Sequence, residues 1–315
     1  MTMAQCEVVQ LVSISPRFDT ELVRRYGALP LFDKHSATDV PPEAGTARVL
    51  VTTARAGFDR GLIDRLPALQ AVCSWGVGYD TLDIDAAAER GIAVSNTPDV
   101  LDDCVADLAW ALLLAVARKV AQADHYVKAG RWRDMGGFPQ AMRVSGKRLG
   151  ILGMGRIGRA IAKRAAGFSM DIGYHNRRAH PEAAGRYFDK LTDLADWCDF
   201  LVVACPGGPQ TRHLVDAQVL RALGSEGILI NIARGSIIDE QALEAALRDG
   251  VLGGAGLDVL ESEPVMPASF RGMDHLVLTP HIGSATRDTR GDMEDLVLAN
   301  VEAWLAKGCL LTPVR

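Results

Sequence analysis

One hexapeptide limits the architecture of this 315-residue chain more than any other feature. Gly153-Met154-Gly155-Arg156-Ile157-Gly158 is a G-x-G-x-x-G between an apolar, strand-like segment at 148–152 and a helical one at 156–166. The first glycine permits a tight turn, the second lets backbone approach a pyrophosphate, and the third lets helix and strand pack closely. The helix N-terminus then faces the phosphates with its unpaired N–H groups. The string alone is weak, but with a strand before it and a helix after it, it predicts a dinucleotide-binding βα turn.

That turn lies within a strand–helix alternation that runs the length of the chain. Apolar segments at 8–14, 48–53, 70–75 and 92–95 read as strands, with helices at 18–26, 59–66 and 82–90. A second series follows, with strands at 148–152, 171–175, 200–205, 227–233, 255–259 and 275–279. Its helices fall at 156–166, 191–197, 216–223, 239–248 and 286–307. Near-continuous apolar strands joined by helices mean parallel sheets covered on both faces. Between the two series the periodicity predicts one long helix over 99–128, starting near Asp102 and stopped by Gly130. Its wide apolar face suits a domain connector, a subunit interface or internal core.

Composition excludes several classes. Apolar residues are 48% and charged residues 23%, too ordinary for a disordered chain, and the net charge of −5 without a basic block argues against nucleic acid. The longest apolar run, 108–117, has ten residues, where a membrane span needs roughly 20. Met1–Gln5 carry no positive charge before the first apolar stretch, so no secretory leader is expected. Cys6, Cys73, Cys104, Cys198, Cys205 and Cys309 lack C-x-x-C spacing and read as buried free thiols of a cytoplasmic protein, with no metal site.

The strand after the glycine loop decides which dinucleotide fits. An acidic residue about 20 positions on would bind the ribose of NAD. Here the segment is Asn176-Arg177-Arg178, without a carboxylate. An amide and two guanidinium groups suit a 2′-phosphate, so NADP(H) is expected to be preferred, with NAD(H) possible.

Three later strands end in residues of catalytic type: Arg234, Glu263 and His281. The ordered motifs 202–206 (VVACP), 231–235 (NIARG), 256–259 (GLDV), Glu263-Pro264 and 279–284 (TPHIGS) resemble the D-isomer-specific 2-hydroxyacid dehydrogenases. The stretches 75–80 (WGVGYD) and 95–101 (SNTPDVL) match that family as well. Within it, the resemblance is greatest to NADPH-using glyoxylate/hydroxypyruvate and hydroxyphenylpyruvate reductases.

The resemblance implies two Rossmann-like α/β domains with an active-site cleft between them. The first would be discontinuous, 1–98 with 287–315, and bind substrate; 99–286 would bind the dinucleotide. It implies that Arg234 holds the carboxylate and carbonyl of a 2-oxo acid, while His281 protonates the carbonyl oxygen. Glu263 would pair with His281, orient it and favour its charged form. The backbone amides of Val77 and Gly78 would take the substrate carboxylate. Cys205, Pro206, Ile232, Ala233, Asp258 and Gly283 join the glycine loop as cofactor contacts, Asp258 beside the nicotinamide carboxamide. A homodimer formed through the long helix and Trp132 is expected by the same resemblance.

The main expectation is therefore NADPH-dependent reduction of glyoxylate or hydroxypyruvate to the D-2-hydroxy acid. An aryl pyruvate is the alternative substrate, since Trp75 reads as strand-end core and does not choose between them. A dinucleotide-sensing corepressor is the alternative of another class; the complete Arg234, Glu263 and His281 set argues against it. The arginines at 177 and 178 argue against a formate or phosphite dehydrogenase.

Overall fold

A computed structural model of the chain describes residues 6–32, 40–133 and 135–314. Met1–Gln5, where the leader was sought, lie outside the described residues. The chain divides into two compact units, Met1–Leu101 with Thr286–Arg315, and Asp102–Ala285.

The first unit contains β1 (Val8–Gln10), α1 (Pro16–Tyr26), β2 (Leu29–Pro30), β3 (Val49–Thr53), α2 (Arg60–Arg65), β4 (Ala71–Trp75), α3 (Ile84–Glu89) and β5 (Ala93–Ser95). Its sheet has the order β2-β1-β3-β4-β5, every pair parallel. Alternation across the pleat sends Val9, Leu50 and Val72 into one core and Val8, Val49, Val51, Ala71 and Cys73 into the other. Helix α1 begins at Ser15, whose hydroxyl accepts the Phe18 N–H, and ends at the left-handed Gly27. Phe18 and Leu22 from its inner face are fully buried, about 1.5–3 kcal/mol of hydrophobic stabilisation each.

The second unit contains α4 (Asp102–Ala117), α5 (Val120–Lys128), β6 (Arg148–Leu152), α6 (Arg156–Ala165), β7 (Asp171–His175), β8 (Arg186–Tyr187), α7 (Leu191–Trp197) and β9 (Phe200–Val203). It continues with α8 (Ala217–Leu223), β10 (Ile228–Asn231), α9 (Glu240–Arg248), β11 (Gly254–Leu257) and β12 (Leu276–Leu278). The closing helix α10 (Arg287–Lys307) returns to the first unit. The seven-stranded parallel sheet runs β12-β11-β10-β9-β6-β7-β8. The order in which strands are added reverses between β6 and β9, and ligands of open α/β sheets bind beyond the carboxyl ends at such a switch point. No helix among the described residues is long and apolar enough to cross a membrane.

Several expected elements are corrected. The single helix over 99–128 is two helices, because Lys119 adopts a left-handed backbone with φ 54°. Met142 N–H takes the Ala117 carbonyl at 2.9 Å, ending α4 where its buried face ends. At 16 residues α4 is shorter than α10, which has 21. Strand β1 stops at Gln10 instead of running to Ile14, since Ser13 Oγ and Ile14 N–H both turn to the Asp19 carboxylate. Asp59, Asp216, Asp239 and Thr286, read as first helical residues, are N-caps that accept backbone N–H groups. Of the six cysteines, all free, only Cys73, Cys198 and Cys205 are buried; burial pushes each of those thiols up to about 12. Cys309 is exposed, not buried. Trp75 packs on the first unit's core at the end of β4, with the Arg290 guanidinium 5.7 Å above its ring.

Candidate active site

The glycine loop joins β6 to α6 at the switch point. Gly153 has φ 101°, and a Cβ there would lie 2.5 Å from the Cys205 nitrogen, beyond the end of β9. A Cβ at Gly158 would overlap the Gly153 carbonyl oxygen. Only Gly155 opens on free space, with nothing within 4 Å of its missing side chain. Two glycines thus satisfy packing while the middle one, N-cap of α6, leaves a cradle in front of the helix N-terminus. This geometry fits a dinucleotide pyrophosphate.

Asn176, just beyond β7, has its side-chain oxygen committed: it accepts the Met154 N–H at 2.7 Å. Its amide N–H₂ remains the group that can face a ligand. Arg177 and Arg178 are exposed, Arg177 within 3.4 Å of Gln210 Oε1. The Arg156 guanidinium turns toward Asp102 at 3.4 Å, which leaves its backbone N–H as the group it can offer at the start of α6. Cys205 is buried beneath Gly153, while Pro206 is exposed beside it.

The candidate catalytic residues lie on neighbouring loops of the same sheet end. Nδ1 of His281 is 2.8 Å from Glu263 Oε2. A carboxylate only accepts, so this contact places the proton on Nδ1 and leaves Nε2 for chemistry. Glu263 Oε1 accepts the Leu260 N–H at 3.1 Å, fixing the carboxylate at both oxygens; a cis peptide to Pro264 follows. His281 has φ 55°, a backbone that a β-carbon opposes. The strain is held by Asp258, which is 2% exposed. The Asp258 carbonyl accepts the His281 N–H at 2.9 Å, and its carboxylate accepts Thr279 Oγ1, Ile282 N–H and Gly283 N–H at 2.6, 2.8 and 2.8 Å.

Arg234 follows β10, half-buried, its Nη1 donating to the Ala233 carbonyl at 2.7 Å. Asn231 organises this turn: its amide donates to the Arg234 carbonyl at 2.9 Å and accepts the Ala233 N–H at 3.0 Å. Next to Arg234, Gly235 is pressed so closely on the Leu260–Glu261 peptide that a Cβ would overlap the Leu260 carbonyl. The Arg234 turn and the Glu263 loop are thereby packed backbone to backbone.

The comparisons with known proteins decide the family. The model of the D-isomer specific 2-hydroxyacid dehydrogenase, NAD binding domain, matches residues 110–283. The chain belongs to that family.

This dehydrogenase is 46% identical to glyoxylate/hydroxypyruvate reductase A of Arabidopsis thaliana over 98% of both chains. It is 44% identical to a hydroxyphenylpyruvate reductase of Plectranthus scutellarioides, again over 98% of each. Among solved structures, an NADPH-dependent glyoxylate/hydroxypyruvate reductase from Sinorhizobium meliloti, in complex with NADP and malonate, superposes with a TM-score of 0.93. That match is at 38% identity and covers 99% of this chain and 97% of the other.

Some working parts of the dehydrogenase were not read from the sequence. Asn176, expected only as a ligand contact, also holds the glycine loop through Met154. Gly235, Thr279 and Asn231 were not singled out, although each stands inside a quoted motif. A carboxylate cluster behind Glu263 was also missed. Glu261 receives Arg212 Nη2 at 2.7 Å and His213 Nε2 at 3.1 Å, and its N–H donates to Glu240 Oε1 at 2.5 Å. Burial pushes the Glu240 carboxyl up; the Glu261 N–H opposes this, and the charges of Glu261 and Glu263 add to it. Three acidic residues spread over 240–263 gave no spacing signal, because they meet only through the fold.

Proposed function

We propose that this dehydrogenase reduces a small 2-oxo acid, glyoxylate or hydroxypyruvate, to the D-2-hydroxy acid with NADPH. The observation that carries the reading is the Glu263–His281 pair at 2.8 Å on a strained loop anchored by Asp258. A bound reduced nicotinamide supplies the hydride. His281 Nε2 gives the proton to the carbonyl oxygen, and Glu263 orients the ring and balances its charge. Arg234 offers a planar fork to the carboxylate and carbonyl oxygens. The amides of Val77 and Gly78, in the first unit, take the carboxylate; both residues are half-exposed.

Residues 153–158 cradle the pyrophosphate through backbone N–H groups. Asn176, Arg177 and Arg178 recognise the 2′-phosphate, with NADH the weaker cofactor. Cys205, Pro206, Ile232, Ala233 and Gly283 line the dinucleotide. Asp258, already receiving three hydrogen bonds, acts chiefly by fixing the His281 loop and offers its remaining acceptor capacity to the carboxamide. We place the enzyme in the cytoplasm as a homodimer. Exposed Val120, Val127, Trp132 and Met135 on and after α5 support the subunit contact, and the free thiols support the compartment.

The relative that reduces hydroxyphenylpyruvate supports an aryl pyruvate as a second substrate reading. Reduced-nicotinamide oxidation with glyoxylate, hydroxypyruvate and hydroxyphenylpyruvate, each with NADPH and NADH, separates the two. The proposal predicts the highest kcat/KM for NADPH with one of the two small acids. Absence of turnover on every 2-oxo acid would refute it.

A further inference from the structure

The loop after β4 is held by a partly buried set of hydrogen bonds that starts on α10 and that the chemistry above does not use. Asn300, 1% exposed in the middle of α10, has its side chain saturated. Its Oδ1 accepts Leu311 N–H and Thr312 N–H at 2.9 and 3.2 Å; its Nδ2 donates to the Leu296 carbonyl and Thr312 Oγ1 at 2.8 and 3.1 Å. Thr312 Oγ1 in turn donates to the Asn96 carbonyl at 2.6 Å. Asn96 Nδ2 then donates to the Val77 carbonyl at 2.8 Å. The neighbouring Thr97 secures the start of the same loop: its Oγ1 accepts the Gly76 N–H at 3.1 Å and its N–H donates to the Gly76 carbonyl at 3.0 Å.

A trans peptide points its carbonyl and the following N–H in opposite directions. Holding the Val77 carbonyl with Asn96 therefore sets the direction of the Gly78 N–H. Asn300 orients the Thr312 hydroxyl, Thr312 fixes the Asn96 main chain through its carbonyl, and the side chain of Asn96, carried on that main chain, holds Val77. Asn96 and Thr97 are 8% and 0% exposed, and Thr312 is half-buried, so water has limited access to these bonds.

We infer that Asn300, Thr312 and Asn96 are positioning residues that aim the Gly78 N–H at the substrate carboxylate, making the tail after α10 part of the substrate-binding apparatus. The inference rests on the reading of Val77 and Gly78 as the carboxylate contact. Thr312→Val keeps the side-chain volume and removes both Oγ1 bonds; Thr312→Ser restores them. Asn96→Asp keeps the shape and turns the donor facing Val77 into an acceptor.

Oxamate, a carboxylate-bearing analogue of a 2-oxo acid, is titrated into the NADPH-loaded enzyme and followed by amide NMR and calorimetry. Steady-state kinetics with glyoxylate are recorded in parallel. The expected result has three parts. Oxamate shifts the Gly78 amide resonance in the wild type. Thr312→Val weakens oxamate and raises KM for glyoxylate about five- to tenfold with KM for NADPH unchanged. Thr312→Ser recovers wild-type values, and Asn96→Asp shows the larger loss. If oxamate shifts Gly78 in the wild type but Thr312→Val and Asn96→Asp bind it equally well, the positioning role is overturned and the carboxylate contact stands. A fall in Tm with both KM values raised in proportion also overturns it, leaving a structural tie only. If oxamate leaves the Val77 and Gly78 amides of the wild type unmoved, the carboxylate contact itself fails, and the positioning role with it.

Discussion

Asn176 Oδ1 accepts the Met154 N–H at 2.7 Å, tying the end of β7 to the glycine loop that follows β6. One side chain thus shapes the pyrophosphate cradle and presents its amide where the ribose phosphate is proposed to lie. The two duties separate by substitution. Asn176→Asp keeps the acceptor and adds a negative charge, so KM for NADPH should rise about ten- to a hundredfold and KM for NADH much less. Asn176→Leu removes the acceptor and should weaken both cofactors alike. Arg177→Asp with Arg178→Ala should follow the first pattern; equal loss with both cofactors would contradict the 2′-phosphate assignment.

The three glycines of the fingerprint should fail in different ways. Gly158→Ala drives a Cβ into the Gly153 carbonyl, and overpacking of this kind costs about 1–3 kcal/mol. Its Tm should fall by several degrees. Gly155→Ala meets no atom within 4 Å and has a negative φ, so its Tm should match wild type. Its affinity for NADPH and NADH should nevertheless drop together, because the methyl group occupies the cradle. Thermal melts and cofactor titrations of the two variants test the contrast.

The Glu263–His281 contact sets the catalytic expectation. His281→Ala should lower kcat by about 10²–10⁴-fold, the usual contribution of a positioned proton donor. Glu263→Gln retains a hydrogen-bonding group but not the charge, and should lower kcat less while leaving KM for NADPH near wild type. Near-full turnover by His281→Ala would remove it from the chemistry.

Gly235 should behave as part of the site although it carries no side chain. A Cβ there overlaps the Leu260 carbonyl, at the base of the loop that presents Glu263. Gly235→Ala should therefore lower Tm and kcat together. Gly167→Ala, with nothing within 4 Å, should change neither. A Gly235→Ala enzyme with normal kcat would show that the loop does not need that backbone contact.

Glu240 gives a pH dependence of stability. Its carboxyl is pushed up mainly by burial, with the Glu261 and Glu263 charges adding to that, while Arg212 and His213 face the same cluster through Glu261. The folded protein therefore holds this proton more tightly than the unfolded chain. Stability falls as pH rises from the ordinary carboxylate value through the raised folded one, and the penalty persists above it. Glu240→Gln keeps an acceptor for the Glu261 N–H without the charge. Its Tm should exceed wild type by about a degree or two near pH 8, with the difference vanishing near pH 4. A difference that does not depend on pH would exclude this origin.

The parts of the protein legible in its sequence are those where chemistry leaves few options. The glycine loop stands out because a tight turn between strand and helix needs glycine, and Arg234, Glu263 and His281 because each follows a strand with a side chain of catalytic type. The parallel sheets followed from apolar strands alternating with helices. Lys119 gave no warning, since a lysine in left-handed backbone has no compositional signal; the break depends on Met142 reaching Ala117 across the fold. Strands β2 and β8 have two residues each and exist only through pairing with β1 and β7. The commitments of Asn176 and Asp258 were hidden for the same reason. Their partners are chiefly backbone N–H groups, which every residue but proline carries.

The return of α10 to the first unit has a consequence for the order of assembly. All of Asp102–Ala285 is contiguous, so the second unit has every residue it needs before residues 286–315 are made. The first unit does not: Val297 and Val301 of α10 belong to its core, and Pro313 bridges Ser95 at the free edge of β5. Until residues 286–315 are added, α1 alone covers that face of β1, β3 and β4, through Phe18 and Leu22. The first unit can complete its core only once residues 286–315 are made, whereas the second needs nothing beyond Ala285.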